Sequence, residues 1–393
     1  MEFNYVCTEC GQRFPIEPKF MVCPQCSLGQ ISDQPLRGVL EVELTGQVPA
    51  DWEIAALLPV ERRFFPSIPV GGTPLWAPQR LRDEMGFPGL YIKDDGLNPT
   101  CSLKDRASFL VSAFAAKFHI HEIVLASTGN AGSSMAGVGA AAGQKVTLFL
   151  PAAAPRAKLI QALQYGARVF RVNGSYDTAY DLSLAYTARF GGLSRNTAYN
   201  PMTIEGKKTV ALEVFRQLGR VPGAVFVAAG DGCILSGVYK GFRDLRQLGL
   251  ADRLPTVYAV QAEGSAALAR AFDHGGFVRE SSSTVADSIC VDVPRNGFHA
   301  VKQLKEHGGH IVKVSDRQIL AAQMMLARSS GLFTEPAGAA AFAGFVEARP
   351  RLPAGTVAVI LATGNGLKDI SAAGRDVEIP DKVIGSLDEV SQG

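Results

Sequence analysis

Six short apolar runs rich in β-branched residues, separated by longer segments with helical spacing, constrain what this chain can fold into more than any other feature. They are IVLAST (123–128), KVTLFLP (145–151), ARVFRV (167–172), AVFVAAG (224–230), TVYAVQA (256–262) and TVAVILATG (356–364). Stretches between them, such as SSMAGVGAAAG (133–143) and KKTVALEVFRQLG (207–219), repeat their apolar residues at helical intervals. Strands alternating with helices read as a parallel sheet covered on both faces, so the predicted class is α/β. In such a sheet ligands bind beyond the carboxyl ends of the strands. Three of those ends run into glycine-rich loops: Ser127-Thr128-Gly129-Asn130, Gly230-Asp231-Gly232-Cys233 and Thr363-Gly364-Asn365-Gly366. One such loop is as readily a tight turn, whereas three in one chain point to a ligand crevice.

Composition narrows the partner. Of 393 residues, 47% are hydrophobic and 19% charged, enough apolar material for two or three packed units. Lysines and arginines number 39 against 37 acidic residues with no basic block, so the electrostatic footprint of a nucleic-acid binder is missing and a small molecule is expected. No apolar stretch reaches the ~18–20 residues a membrane span needs. The N-terminus MEFNYVCTEC lacks the regions of a secretory signal, so a cytoplasmic location is expected.

Four of the seven cysteines form two CxxC pairs, Cys7 with Cys10 and, twelve residues on, Cys23 with Cys26. Two such knuckles match a closed tetrahedral zinc site that folds a small ribbon. Cys101, Cys233 and Cys290 are expected as free thiols. Residues 1–35 are therefore assigned to a zinc ribbon, followed by a connecting stretch that ends in FFPSIPVGGTPL. The six histidines show no ligand or triad pattern.

The strongest local signal is Asn98-Pro99-Thr100-Cys101-Ser102-Leu103-Lys104-Asp105-Arg106, with the lysine at an expected helix start. Alone, such a lysine is a surface residue. Together with the three loops, with Gly71-Gly72-Thr73-Pro74-Leu75, Asn200-Pro201 followed by Glu205-Gly206, Glu335-Pro336-Ala337-Gly338-Ala339 and Gly366-Leu367-Lys368-Asp369, it makes the chain between positions 65 and 375 resemble the fold-type II pyridoxal-phosphate enzymes, and threonine synthases among them. The resemblance implies two α/β lobes and a homodimer. The large lobe would comprise residues 36–106 and 206–393, and a small mobile lobe, residues 107–205, would close over an amino-acid substrate.

By the same resemblance Lys104 holds the cofactor as an imine and then moves protons at the substrate α-carbon, work for which an amine is suited. Gly230, Asp231, Gly232, Cys233 and Ile234 would cradle the cofactor phosphate with backbone N–H groups at a helix start. Asp231 is an uneasy neighbour for a phosphate, so its carboxylate must point away or be paired. Asn130 would bond the cofactor's ring oxygen and Thr363 would face the pyridine nitrogen. A neutral hydroxyl there leaves the ring a weaker electron sink, which favours β- and γ-carbon chemistry. Ser127, Thr128, Gly129 and Asn130 would meet the substrate carboxylate.

The implied reaction converts O-phosphohomoserine and water to threonine and phosphate. Where the family carries a serine and an arginine for the substrate phosphate, this chain has Ala198 and Thr203. Lys207, Lys208 and Arg195 are cations near enough in sequence to compensate. The rival reading is β-elimination or β-replacement on serine, threonine or an O-substituted serine. A binding protein without turnover is a third, disfavoured by a lysine retained beside three cofactor loops.

Overall fold

The computed structural model describes residues 1–31, 33–48, 51–127, 129–152, 156–381, 383–386 and 389–390. Near the N-terminus β1 (Glu2–Cys7), β2 (Arg13–Phe14) and β3 (Leu40–Thr45) make an antiparallel sheet in the order β2-β1-β3. Next come β4 (Leu75–Trp76) and β5 (Leu90–Asp94). They are followed by β6 (Glu122–Ala126), β7 (Lys145–Pro151), β8 (Arg168–Val172) and β9 (Leu193–Ser194), a parallel sheet of order β8-β7-β6-β9. The chain then supplies β10 (Ala224–Ala228), β11 (Thr256–Ala262), β12 (His310–Val314) and β13 (Ala358–Ala362). With β4 and β5 these form a six-stranded sheet, β12-β11-β10-β13-β5-β4, in which only β4 runs antiparallel.

All six apolar runs of the sequence are strands. Alternate residues of the central strands serve two cores, as a sheet covered on both faces requires. Phe226 and Ile360 pack with helix Pro336–Ala348, while Val225, Val227, Val359 and Leu361 pack with helices Thr209–Leu218 and Cys233–Gln247. Among the described residues, seven shorter or more polar strands escaped the pattern, β1 to β5, β9 and β12, and two of them show why. LYIKD ends in Lys93 and Asp94, both buried, and Lys93 Nζ is neutralised by Glu213 Oε2 at 2.6 Å. HIVKV is the edge strand β12, with three of its five residues in contact with solvent.

The N-terminal sheet takes β3 from beyond residue 35, because the six residues of β1 pair along their whole length with 40–45. Its inward residues Tyr5, Cys7, Leu40 and Val42 join the core beneath the four-stranded sheet, with Leu110, Phe114, Ile123 and Leu148.

Candidate active site

The segment before Lys104 is a tightly bonded turn. Asn98 Oδ1 accepts from Gly71 N–H at 3.0 Å, and Asp105 Oδ2 accepts from Thr100 N–H at 2.7 Å. Cys101 takes the left-handed conformation, φ +67°, which is uncommon for a residue with a side chain. Arg106, fully buried, forms a two-sided clamp with Asp95 at 2.6 Å and Glu213 at 2.7 Å. These contacts fix the start of helix Lys104–Lys117 and so the origin of the Lys104 side chain. Burial pushes the Lys104 amine below its usual pKa, and the nearby charge of Lys207 adds to the effect while Asp231 and Glu335 oppose it. Lowering the pKa leaves more of the amine unprotonated, the form that acts as nucleophile and base.

Two of the glycine loops join the Lys104 turn directly or through a common strand end. Leu103 N–H donates to the Thr363 carbonyl at 2.9 Å, and Glu335 N–H donates to the Gly364 carbonyl at 2.9 Å. Thr363 is buried beside the residue preceding Lys104. Asn130 opens helix Asn130–Ala141, and its amide donates to both Glu335 carboxylate oxygens at 2.9 Å and to Ser288 Oγ at 3.3 Å. Glu335, which the sequence placed only in a matching motif, is thus the partner of Asn130, and burial pushes its carboxyl above the usual pKa. Ser127 Oγ accepts from Gly129 N–H at 3.2 Å and Gly132 N–H at 2.9 Å, so it caps this helix. Thr128 lies outside the described residues.

The third loop, Gly230 to Gly232, leads from β10 into helix Cys233–Gln247. A Cβ on Gly230 would meet Ile289 Cα at 2.8 Å and one on Gly232 would meet Ala300 Cβ at 2.6 Å, so only glycine lets the loop pack this closely. Gly232 also has φ +84°. Ile234 is committed to the core, which leaves its backbone for the helix start. Asp231 is paired as its surroundings demand: its Oδ1 accepts from Cys233 N–H at 2.8 Å. Lys207 Nζ donates to Cys233 Sγ at 2.9 Å.

A cofactor with an aldehyde and a phosphate fits these residues. The half-buried Lys104 makes no side-chain hydrogen bond among the described residues, and the buried Ser102 hydroxyl close by has no partner. The helix start beyond Gly232 suits an anion, and there the Asp231 carboxylate already takes the Cys233 N–H, which a phosphate would have to displace or leave in place. Asn130, Ser133, Gln161, Ser288, Glu335 and Lys368 help line a cavity of about 270 Å³. Lys368, unremarked beyond its motif, enters it and donates to Ser133 Oγ at 2.9 Å. A larger cavity of about 800 Å³ lies farther along helix Lys104–Lys117, against Phe65, Phe109 and Leu110, and Lys104 does not line it. Lys104 does not line the smaller cavity either, but Asn130 and Glu335 do, and Glu335 is close enough to act on the Lys104 amine.

The four N-terminal thiols also converge, with all Sγ atoms within 4.8 Å of one another. Cys7 to Cys26 and Cys10 to Cys23 are both 3.8 Å. Four sulfurs each ~2.3 Å from a common zinc ion would be ~3.8 Å apart along the tetrahedron's edges.

Comparison with known proteins agrees with this geometry. The family described as pyridoxal-phosphate dependent enzyme matches residues 67–364. Threonine synthase of Methanosarcina acetivorans is 34% identical over 402 aligned positions, covering 99% of this chain and 98% of the relative. That of Methanocaldococcus jannaschii is 32% identical, covering 96% of each. Among solved structures, threonine deaminase isoform 2 from Solanum lycopersicum aligns with a TM-score of 0.65 at 21% identity, covering 82% of this chain and 95% of that one. Maize serine racemase aligns with a TM-score of 0.66 at 20% identity, covering 75% and 88%, and like the deaminase it supports the fold alone. With a lysine, three loops and a family match that all fall on the same residues, the chain belongs to the pyridoxal-phosphate-dependent enzymes, in the family that includes these threonine synthases.

Proposed function

We propose that this protein is a threonine synthase, converting O-phosphohomoserine and water to threonine and phosphate. The observation that carries the reading is the desolvated Lys104 amine, held beside the Thr363 strand end and near Asp231 and Glu335, in a chain that matches threonine synthases over nearly its full length. Pyridoxal phosphate, when bound, supplies an electron sink for carbanions next to the amino group.

This chain's residues do the rest. Lys104 would hold the cofactor through its amine, and the same amine is placed to take the proton from the substrate α-carbon and return it later. Gly230, Asp231, Gly232, Cys233 and Ile234 hold the cofactor phosphate from the helix start, and Thr363 faces the ring nitrogen. Asn130, oriented by Glu335, reaches the ring oxygen. Ser127, Thr128, Gly129 and Asn130 orient the substrate carboxylate. The small lobe, residues 107–205, excludes water until it is added at the β-carbon.

The four cysteines hold one structural zinc ion in this reading, and the enzyme works as a cytoplasmic homodimer. Among the described residues no helix is long and apolar enough to cross a membrane. The test offers O-phosphohomoserine, O-phosphoserine, serine and threonine separately. Equal amounts of threonine and phosphate from O-phosphohomoserine are expected, and 2-oxo acid and ammonia formed from serine or threonine alone would overturn the proposal.

A further inference from the structure

Six lysines and arginines are buried among the described residues: Lys93, Arg106, Arg195, Lys207, Lys208 and Lys240. Four have carboxylate partners, Lys93 and Arg106 on Glu213 and Lys208 and Lys240 on Asp244. Arg195 and Lys207, 0% and 1% exposed, have none among the described residues. Arg195 Nη1 donates to Thr197 Oγ1 at 3.1 Å, and its Nε and Nη2 reach Ser108 Oγ only at 3.4 and 3.5 Å. Lys207 Nζ has the Cys233 thiol at 2.9 Å. Neither cation touches a carboxylate among the described residues, and Asp231 and Asp105 act on Arg195 only from farther off, so both lack the directly paired anion that burial of a charge favours.

Both cations border the Lys104 site. Ser108, which Arg195 contacts, follows Lys104 by one turn of the same helix, so it shares that face. Lys207 follows Thr203 by one turn of helix Met202–Lys207, and both side chains reach Cys233 Sγ. A charge absent at position 203 is thus available one turn later, on the same face. Lys208 is directed elsewhere, to Glu205, Asp244 and the Leu57 carbonyl.

We infer that Arg195 and Lys207 together form the subsite for the phosphate of a phosphorylated amino-acid substrate, a reading that rests on the function proposed above. The cofactor phosphate has the backbone N–H groups of the loop beyond Gly230. A substrate with a neutral leaving group, such as serine, would leave Arg195 and Lys207 unpaired. The guanidinium fork can hold two phosphate oxygens and the ammonium a third.

The experiment uses the cofactor-loaded protein and compares wild type with Arg195→Gln, Arg195→Lys, Lys207→Gln and Lys207→Arg. It measures turnover of O-phosphohomoserine, binding of inorganic phosphate and, separately, cofactor affinity from visible absorbance. Each glutamine variant is expected to raise KM and weaken phosphate binding by ~10–100-fold, the range for losing one charge-assisted hydrogen bond. Cofactor affinity should change less than ~3-fold, and the charge-keeping variants, which also guard against a folding defect, should recover much of the loss. Weakened cofactor affinity with unchanged phosphate binding would overturn the subsite. Wild-type turnover of O-phosphohomoserine that the variants leave unaltered would overturn the subsite and keep the function. Wild type without that turnover, but binding phosphate through these two residues, would overturn the function and keep the subsite. Failure of both turnover and phosphate binding in wild type would overturn both.

Discussion

Burial pushes the Glu213 carboxyl up, but Arg106 and Lys93 together outweigh it and hold the group down at about 2, against 4.5 for a free side chain. A lowered carboxyl stabilises the fold above its unfolded pKa and loses that contribution as pH falls toward the folded value. At about 1.4 kcal/mol per pH unit, Glu213→Gln should cost about 3 kcal/mol at pH 7 in urea unfolding, with the two proteins converging near about pH 2. A constant difference down to that pH would refute the ion-pair account. Asp94 has the opposite sign. Burial raises it from 3.8 to about 6, so its carboxylate burdens the folded state as pH rises through that value. Asp94→Asn, which keeps an oxygen for the Gly96 N–H, should stabilise the protein by about 1–3 kcal/mol at pH 8 and much less at pH 4. Equal effects at both pH values would contradict this. For Lys104, replacement by alanine should abolish turnover and the cofactor's covalent attachment, read by mass spectrometry after borohydride reduction. A reduced adduct on another lysine would move the assignment.

At the scale of elements, the N-terminal sheet both carries the four-cysteine cluster and forms part of a core. Tyr5 and Val42 pack beneath the four-stranded sheet, and Tyr5 is close enough to Glu205 for that acid, after burial, to raise its hydroxyl pKa. Deleting residues 1–35 would therefore remove β1 and leave β3 unpaired as well as removing the cysteine cluster. Cys10→Ser is the cleaner probe, since Cys10 is exposed. It should eliminate stoichiometric zinc and lower the melting temperature by several degrees, of order 1–3 kcal/mol, while turnover per cofactor-loaded molecule stays within about 2-fold. Full zinc in the variant would refute the ligand set, and loss of turnover in folded, loaded protein would refute a purely structural role. Strands were legible wherever both faces are apolar. They were not legible in β5, whose buried Lys93 is neutralised by a residue 120 positions away.

Over the whole molecule, Asn130 on the four-stranded side and Glu335 at the start of a helix packed on the six-stranded sheet are joined by two hydrogen bonds. Between them lies the cavity proposed to receive cofactor and substrate. Asn130→Ala should weaken cofactor binding by ~10-fold or more, as loss of bonds to a buried charged partner implies, and speed amide exchange over 129–141. Unchanged exchange and cofactor affinity would show that this contact does not hold the two parts together.

The sequence by itself determined the α/β class, the six principal strands, the glycine loops and the helix start at Lys104, because apolar periodicity and loop chemistry are local properties. It also determined which four cysteines could meet, since CxxC spacing fixes each half of the cluster. Tertiary structure alone decided that Asn130 faces Glu335, that Asp231 caps the helix it precedes, and that Lys208 meets carboxylates while Arg195 and Lys207, among the described residues, touch none. Those outcomes depend on which distant carboxylate reaches which cation once the sheets have packed, and charge carries no periodicity from which that pairing could be read.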